Sequence, residues 1–173
     1  MKTVAIATAL VVAAFASQAE ARTSQMSGMR SAGTLTCNVE PGVGLVFGSV
    51  RHVECSHAYR TRKGRIVRES YAGDMKRVGL DLGVTSAQTM SWTVKTAGFR
   101  PHRGMLTGAM VGTSSDGSIM VGTGTYAAFG TNRAGIALQP AGTSGQIGFG
   151  FGFGETEMEL RKVPRTAFTS LYY

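Results

Sequence analysis

Between Gln146 and Gly154 the chain alternates glycine with large apolar residues. Ile147, Phe149, Phe151 and Phe153 occupy one phase, and Gly148, Gly150, Gly152 and Gly154 the other. A period of two belongs to the strand, whose successive side chains point to opposite faces. No segment after residue 21 sustains a helical period, and short runs rich in β-formers recur between turn signals. The expected fold is therefore all-β: a small antiparallel barrel or sandwich of about eight strands. The 24 glycines sit inside strand-like stretches rather than in one linker, so they belong to that architecture.

The organisation reads as one domain over residues 33–163, preceded by a polar lead-in (22–32) and followed by a tail (164–173) that Pro164 opens. Strand character begins at Gly33–Val39. Pro41–Gly44 reads as a turn, Leu45–Tyr59 as a long extended run, and Ile66–Met75 as its return. Between the last two, Arg60–Arg68 (RTRKGRIVR) is a basic hairpin tip with Gly64 at its apex. Gly79–Gly83 (GLDLG) reads as a tight connection, with Asp81 as its turn residue. Thr89–Thr96 is a strand and Arg100–Gly104 a loop. The Asp116-Gly117 step predicts a hairpin between strands at Met105–Thr113 and Ile119–Ala127. Thr131–Arg133 is a further turn. Pro140–Gly145 separates a short strand, Gly135–Leu138, from the last one, Gln146–Leu160.

That last strand poses a phase problem. Unbroken alternation would continue the phenylalanine phase into Glu155, Glu157 and Glu159. If Phe149–Phe153 build the core, a β-bulge near Gly154–Glu155 is needed to bring Thr156, Met158 and Leu160 into the phenylalanine phase and release the glutamates to solvent. The glycine face of 148–154 either admits a second backbone or a ligand at close range, or receives bulky side chains from neighbouring strands of a curved barrel. The second reading is preferred.

Residues 1–21 read as a secretory leader: Lys2, an apolar run from Val4 to Ala16, and Ala19-Glu20-Ala21 before a cleavage at Arg22. The run falls short of the roughly 20 apolar residues that span a bilayer. Loss of Lys2 and Glu20 leaves the net charge at +8. Export to the periplasm or beyond is expected, and there the two cysteines, Cys37 and Cys55, favour a disulfide. A tight hairpin at Pro41–Gly44 would not set them opposite each other, because their midpoint is Val46. Either the turn is centred later, or the two strands are joined across sheets.

The chain resembles an uncharacterised family of exported alphaproteobacterial proteins, domain of unknown function 992. The resemblance is carried by Gly33-Thr34-Leu35-Thr36-Cys37, Gly42-Val43-Gly44, Phe47-Gly48-Ser49, Arg51 and Cys55. It continues through Glu69, Tyr71, Gly73, the Gly79–Gly83 stretch, Trp92, Val94, Gly104–Gly112, Val121–Gly124 and Ile136–Pro140. It implies export and a paired Cys37–Cys55, and no activity. The basic 60–68 tip, Thr125–Gly135 and the phenylalanine-rich last strand depart from the family pattern.

No motif nominates catalytic chemistry. Gly122–Ala127 (GTGTYA) has the loose form of a dinucleotide turn, but such a turn needs a helix after it, and none is expected. His52, His57, Cys37 and Cys55 have the ligand types for zinc. On a strand, though, His52 faces away from Cys55 and His57, and an oxidised cysteine pair cannot ligate. No metal, no cofactor and no catalytic residue is therefore assigned. The sharpest charge feature is Arg60, Arg62, Lys63, Arg65 and Arg68. It reads as a contact for an anionic envelope lipid, lipopolysaccharide or acidic polysaccharide, against the plainer reading of a solvated tip that discourages aggregation. Export argues against nucleic acid as a partner. The leading expectation is an exported, non-catalytic, envelope-associated protein with a structural role or an anionic or small apolar ligand. The alternative is a small outer-membrane β-barrel, for which the length suits about eight strands. An enzyme assembled from distant loops ranks third.

Overall fold

The structure, a computed structural model, describes residues 28–44, 48–118, 126–129, 135–144 and 148–164. The expected leader and the Thr131–Arg133 turn lie outside the described residues. Among the described residues nine antiparallel strands form one sheet: β1 (Arg30–Val39), β2 (Gly42–Gly44), β3 (Gly48–Arg60), β4 (Ile66–Thr85), β5 (Gln88–Thr96), β6 (Gly108–Ser118), β7 (Tyr126–Phe129), β8 (Ile136–Ser144) and β9 (Gly148–Val163). The order is β2-β4-β3-β1-β5-β8-β7-β6-β9, and β9 pairs in turn with β4. The sheet therefore curls into a barrel of eight strands, with β2 added at one end of β4; among the described residues Phe129 and Leu138 pair between β7 and β8. No helix occurs among the described residues.

Alternation decides which residues enter the barrel. On β5, Gln88, Met90, Trp92, Val94 and Thr96 are buried, and the residues between them are half-buried. On β3 the inward phase is Arg51, Val53, Cys55, His57 and Tyr59. Leu35 and Cys37 from β1, Tyr71 and Met75 from β4, Met110 from β6, Leu138 from β8, and Met158 and Leu160 from β9 complete the core around Trp92. Cys37 and Cys55 stand directly opposite each other in the β1–β3 ladder and are joined by a disulfide. The ladder is symmetric about Val46, so the reversal is centred later than Pro41–Gly44. Gly42–Gly44 is not a turn but the short strand β2, paired with Gly83–Thr85.

Four local expectations are corrected. Gly79–Gly83 lies within β4, which runs unbroken to Thr85 because β9 pairs with it along its whole length from Ser70. Asp116-Gly117 is likewise inside β6, where Asp116 pairs with Gly152, so a long partner strand overrides the local turn preference. Pro140 lies within β8. A register shift between Ser91 and Trp92, with Gly142 and Pro140 opposite them, accommodates a residue that lacks an N–H.

The fourth concerns β9. Its registers with β4 and with β6 both pass through Gly154 and Glu155 without a shift, so the expected bulge is absent. Thr156, Met158 and Leu160 are buried and Glu155 and Glu159 exposed, as foreseen, but the phenylalanines share the phase of the glutamates. The core phase of β9 continues into glycine. At Gly154 a Cβ would collide with the carbonyl oxygen of Val78, and at Gly73 with that of Glu159. Gly73 and Gly154 let the β4 and β9 backbones approach closely at these two positions.

Candidate anion-binding site

The β3–β4 hairpin and the β5–β6 loop meet at one mouth of the barrel. The hairpin closes through Thr61–Arg65: the Gly64 N–H donates to Thr61 O, the Thr61 N–H to Arg65 O, and the Thr61 hydroxyl to the same oxygen. Gly64 has a φ of 77°, in the left-handed region that completes this three-residue turn. Arg60 Nη1 donates to Gly64 O at 2.9 Å and braces the tip. In the ladder Arg60 pairs with Ile66, Tyr59 with Val67 and Ala58 with Arg68. Pleating therefore splits the basic run between two faces.

Residues 97–107 cross the mouth from β5 to β6. Met105 and Leu106 are buried beneath the loop, and the edge of His102 meets the ring of Phe99 at 6.1 Å. Glu69 fixes the loop's approach to the hairpin. Its carboxylate is 4% exposed and accepts from Gly104 N (3.0 Å), Tyr71 Oη (3.0 Å) and Lys162 Nζ (2.7 Å). Burial pushes the Glu69 carboxyl up, but the donors from Lys162, Gly104 and Tyr71 outweigh it and hold its pKa below the usual value. Beside it in register stands His57, fully buried, whose Nε2–H donates to Ala32 O at 3.1 Å. Its Nδ1 has no hydrogen-bond partner. Burial drives the imidazole below its ordinary 6.5, against the Ala32 bond and the Glu69 charge, so it is neutral at pH 7.

These two groups set an acid dependence. The unfolded chain protonates His57 near pH 6.5, and the folded chain only at lower pH. Below about 6.5 the unfolded state therefore binds the extra proton, and stability falls with pH by at most ~1.4 kcal/mol per pH unit. Glu69 acts lower. Its contribution is present above the unfolded value near 4.5 and is lost as pH drops through its depressed folded value. Urea midpoints are expected to fall between pH 7.5 and 5.5. His57→Gln, which keeps a donor for Ala32 O, should flatten that limb and leave the one below pH 4.5. An unchanged slope in the variant would refute the assignment to His57.

The five basic residues singled out from sequence all lie at this mouth, but not in one cluster. Arg62, Lys63 and Arg65 line a groove of ≈ 420 Å³ together with His102 and Arg103, over a floor of Tyr59, Val67 and Pro101. Arg60 and Arg68 line a second groove of ≈ 410 Å³ on the other face of the hairpin, sharing Tyr59 and Pro101 with the first. Burial raises the Tyr59 phenol above its ordinary value, Glu69 adds to this and Arg103 opposes it, so the hydroxyl stays protonated. Sequence reading missed His102 and Arg103. Their signal was faint: two basic residues beside Pro101, forty residues from the tip they join. Of the residues with zinc-ligand side chains, His52 faces outward and pairs with Asp74 at 3.2 Å, while Cys37 and Cys55 are joined in the disulfide. Neither 60–68 nor 97–104 contains an acidic residue. The mouth therefore presents cations from two segments with no carboxylate among them.

No curated protein and no solved structure matches this chain. Residues 12–161 match the model of the family described as Protein of unknown function (DUF992), and the chain belongs to that family.

Proposed function

We propose that this protein is an exported, non-catalytic β-barrel that binds an anionic component of the cell envelope through the basic mouth. The observation that carries the reading is the convergence of Arg62, Lys63 and Arg65 with His102 and Arg103 around one groove, the two segments being held together by Glu69. A solvated tip needs charge but has no need of a second basic segment positioned against it. The groove pairs a cationic rim with an apolar floor, which suits a ligand with an anionic head and an apolar flank. Export rests on the leader pattern, and the buried disulfide is in keeping with it. The non-catalytic reading rests on the use made of the buried titratable groups: Glu69 is committed to holding the loop, and His57 bonds Ala32 inside the core.

The outer-membrane alternative ranks second. A barrel facing lipid needs an apolar outer band. Here the outward phase of β1 and β5 carries Thr34, Thr36, Asn38, Thr89, Ser91 and Thr93, so the wall is polar over these two strands, while Val50, Val78 and Val111 are exposed on β3, β4 and β6.

The test compares two charge-matched variants of the purified protein on immobilised heparin, used as a soluble polyanion probe. Arg65→Glu/Arg103→Glu is expected to weaken binding about tenfold or more and to lower the eluting salt. Lys76→Glu/Arg161→Glu, with the same change in net charge but on the barrel wall, should elute close to wild type. Equal losses in the two would mean that net charge alone drives binding, and the groove would not be a site.

A further inference from the structure

We propose that the occupant of the basic mouth is the surface of an anionic lipid bilayer, into which the β3–β4 hairpin inserts Ile66 as its apolar anchor. The inference rests on the anion-binding reading above and names the partner. Ile66 is 62% exposed at the outermost rung of the hairpin. Its cross-strand partner is Arg60, its chain neighbour is Arg65, and Arg68 follows on the same face. A single exposed apolar residue is ordinary on a protein surface. The position of this one is informative, because it lines the groove of Arg60 and Arg68 with Arg65 as its chain neighbour, and no carboxylate lies in either mouth segment.

The charge complementarity is with a surface rather than with a strand of polymer. The hairpin carries cations on both faces, in two grooves that share Tyr59 and Pro101, so one linear polyanion lying in one groove leaves the other unused. A plane of headgroups meets both at once. Arginine side chains lie along apolar surface and reach phosphates with their heads, while an aliphatic residue between them enters the acyl boundary. The tip is also ordered in advance: Arg60 is tied to Gly64 O and Thr61 to Arg65 O, so little freedom is lost on docking.

The experiment uses vesicles of phosphatidylglycerol with phosphatidylcholine, against vesicles of phosphatidylcholine alone. Ile66→Trp places a reporter at the tip, while the native Trp92, buried in the core, supplies a constant background. Its emission should shift to the blue on the anionic vesicles and be quenched by bromine-labelled acyl chains. Val111→Trp, at a position exposed on the barrel wall, should show neither effect. Ile66→Ser, which removes the apolar side chain without changing charge, should lower the partition coefficient about tenfold while leaving retention on heparin unchanged. Neutralising Arg60 or Arg68 should lower partitioning about fivefold each. If Ile66→Trp shows no shift and Ile66→Ser partitions like wild type, insertion is overturned while anion binding stands. The same holds if heparin is bound and the vesicles are not. A shift at Val111→Trp equal to that at Ile66→Trp would mean adsorption along the wall and would also overturn it. Failure to bind either probe removes both readings together.

Discussion

Trp92→Ala is expected to destabilise the protein by about 3–5 kcal/mol, the range for removing a fully buried large aromatic. Trp92 is 1% exposed, the largest side chain in the interior, and flanked on its own strand by the equally buried Met90 and Val94. Its cross-strand neighbours are Leu35 on β1 and Pro140 on β8, so it stands where three strands meet. A barrel wall closed by ladders on both sides cannot collapse freely into the space left behind. The cost should therefore lie toward the upper end, because cavities that cannot shrink are the expensive ones. Chemical denaturation should show a lower midpoint with an unchanged m-value, since the change acts on the native state. The thermal midpoint should fall by about 10 °C or more. A loss below about 1 kcal/mol would mean that the interior is not packed around this ring.

Why some of this fold was legible and some not comes down to the range of the forces involved. The period of two needed no partner to be recognised: Gln88–Thr96 alternates because one face of β5 meets the core and the other does not. The hairpin tip was legible for a local reason too, since Gly64 is the one residue in that run suited to a left-handed turn. Two of the misreadings share one cause. Gly79–Gly83 and Asp116-Gly117 have the composition of turns, yet both are straightened by β9, which pairs with β4 from Ser70 to Thr85 and with β6 from Gly108 to Ser118. Local preference of a few tenths to ~1 kcal/mol per residue cannot stand against a ladder of that extent.

The phase of β9 was misjudged for a different reason. A row of phenylalanines reads as core in sequence, and that reading needs a bulge to keep the glutamates out. The core phase of Thr156, Met158 and Leu160 instead continues into Gly154, where the β4 and β9 backbones approach too closely for a side chain. Apolar character marks burial only where there is room to be buried. The candidate site was half-legible on similar grounds. Arg60–Arg68 is contiguous and stood out in sequence. His102 and Arg103 join it only because a carboxylate on β4, Glu69, captures the Gly104 amide.

Removing the disulfide as Cys37→Ala/Cys55→Ala is expected to cost about 3 kcal/mol, by the loop-closure estimate for a separation of 18 residues. The mechanism differs from that of Trp92→Ala, and the two can be told apart. Cutting the cross-link frees the unfolded chain, which should expose more surface and raise the m-value, whereas the tryptophan variant should leave it unchanged. The two sites are also neighbours: Cys37 pairs with Met90 and Leu35 with Trp92 in the β1–β5 ladder. If the disulfide acts through the unfolded ensemble, its loss and the tryptophan's should add within about 0.5 kcal/mol in the combined variant. A coupling of 1 kcal/mol or more would place part of its effect in native packing against the ring. The cysteines are 0% and 1% exposed, so reductant reaches them only when the strands open. Thiols should therefore appear in native buffer no faster than the barrel unfolds, and a reduction rate independent of urea would contradict the buried cross-strand placement.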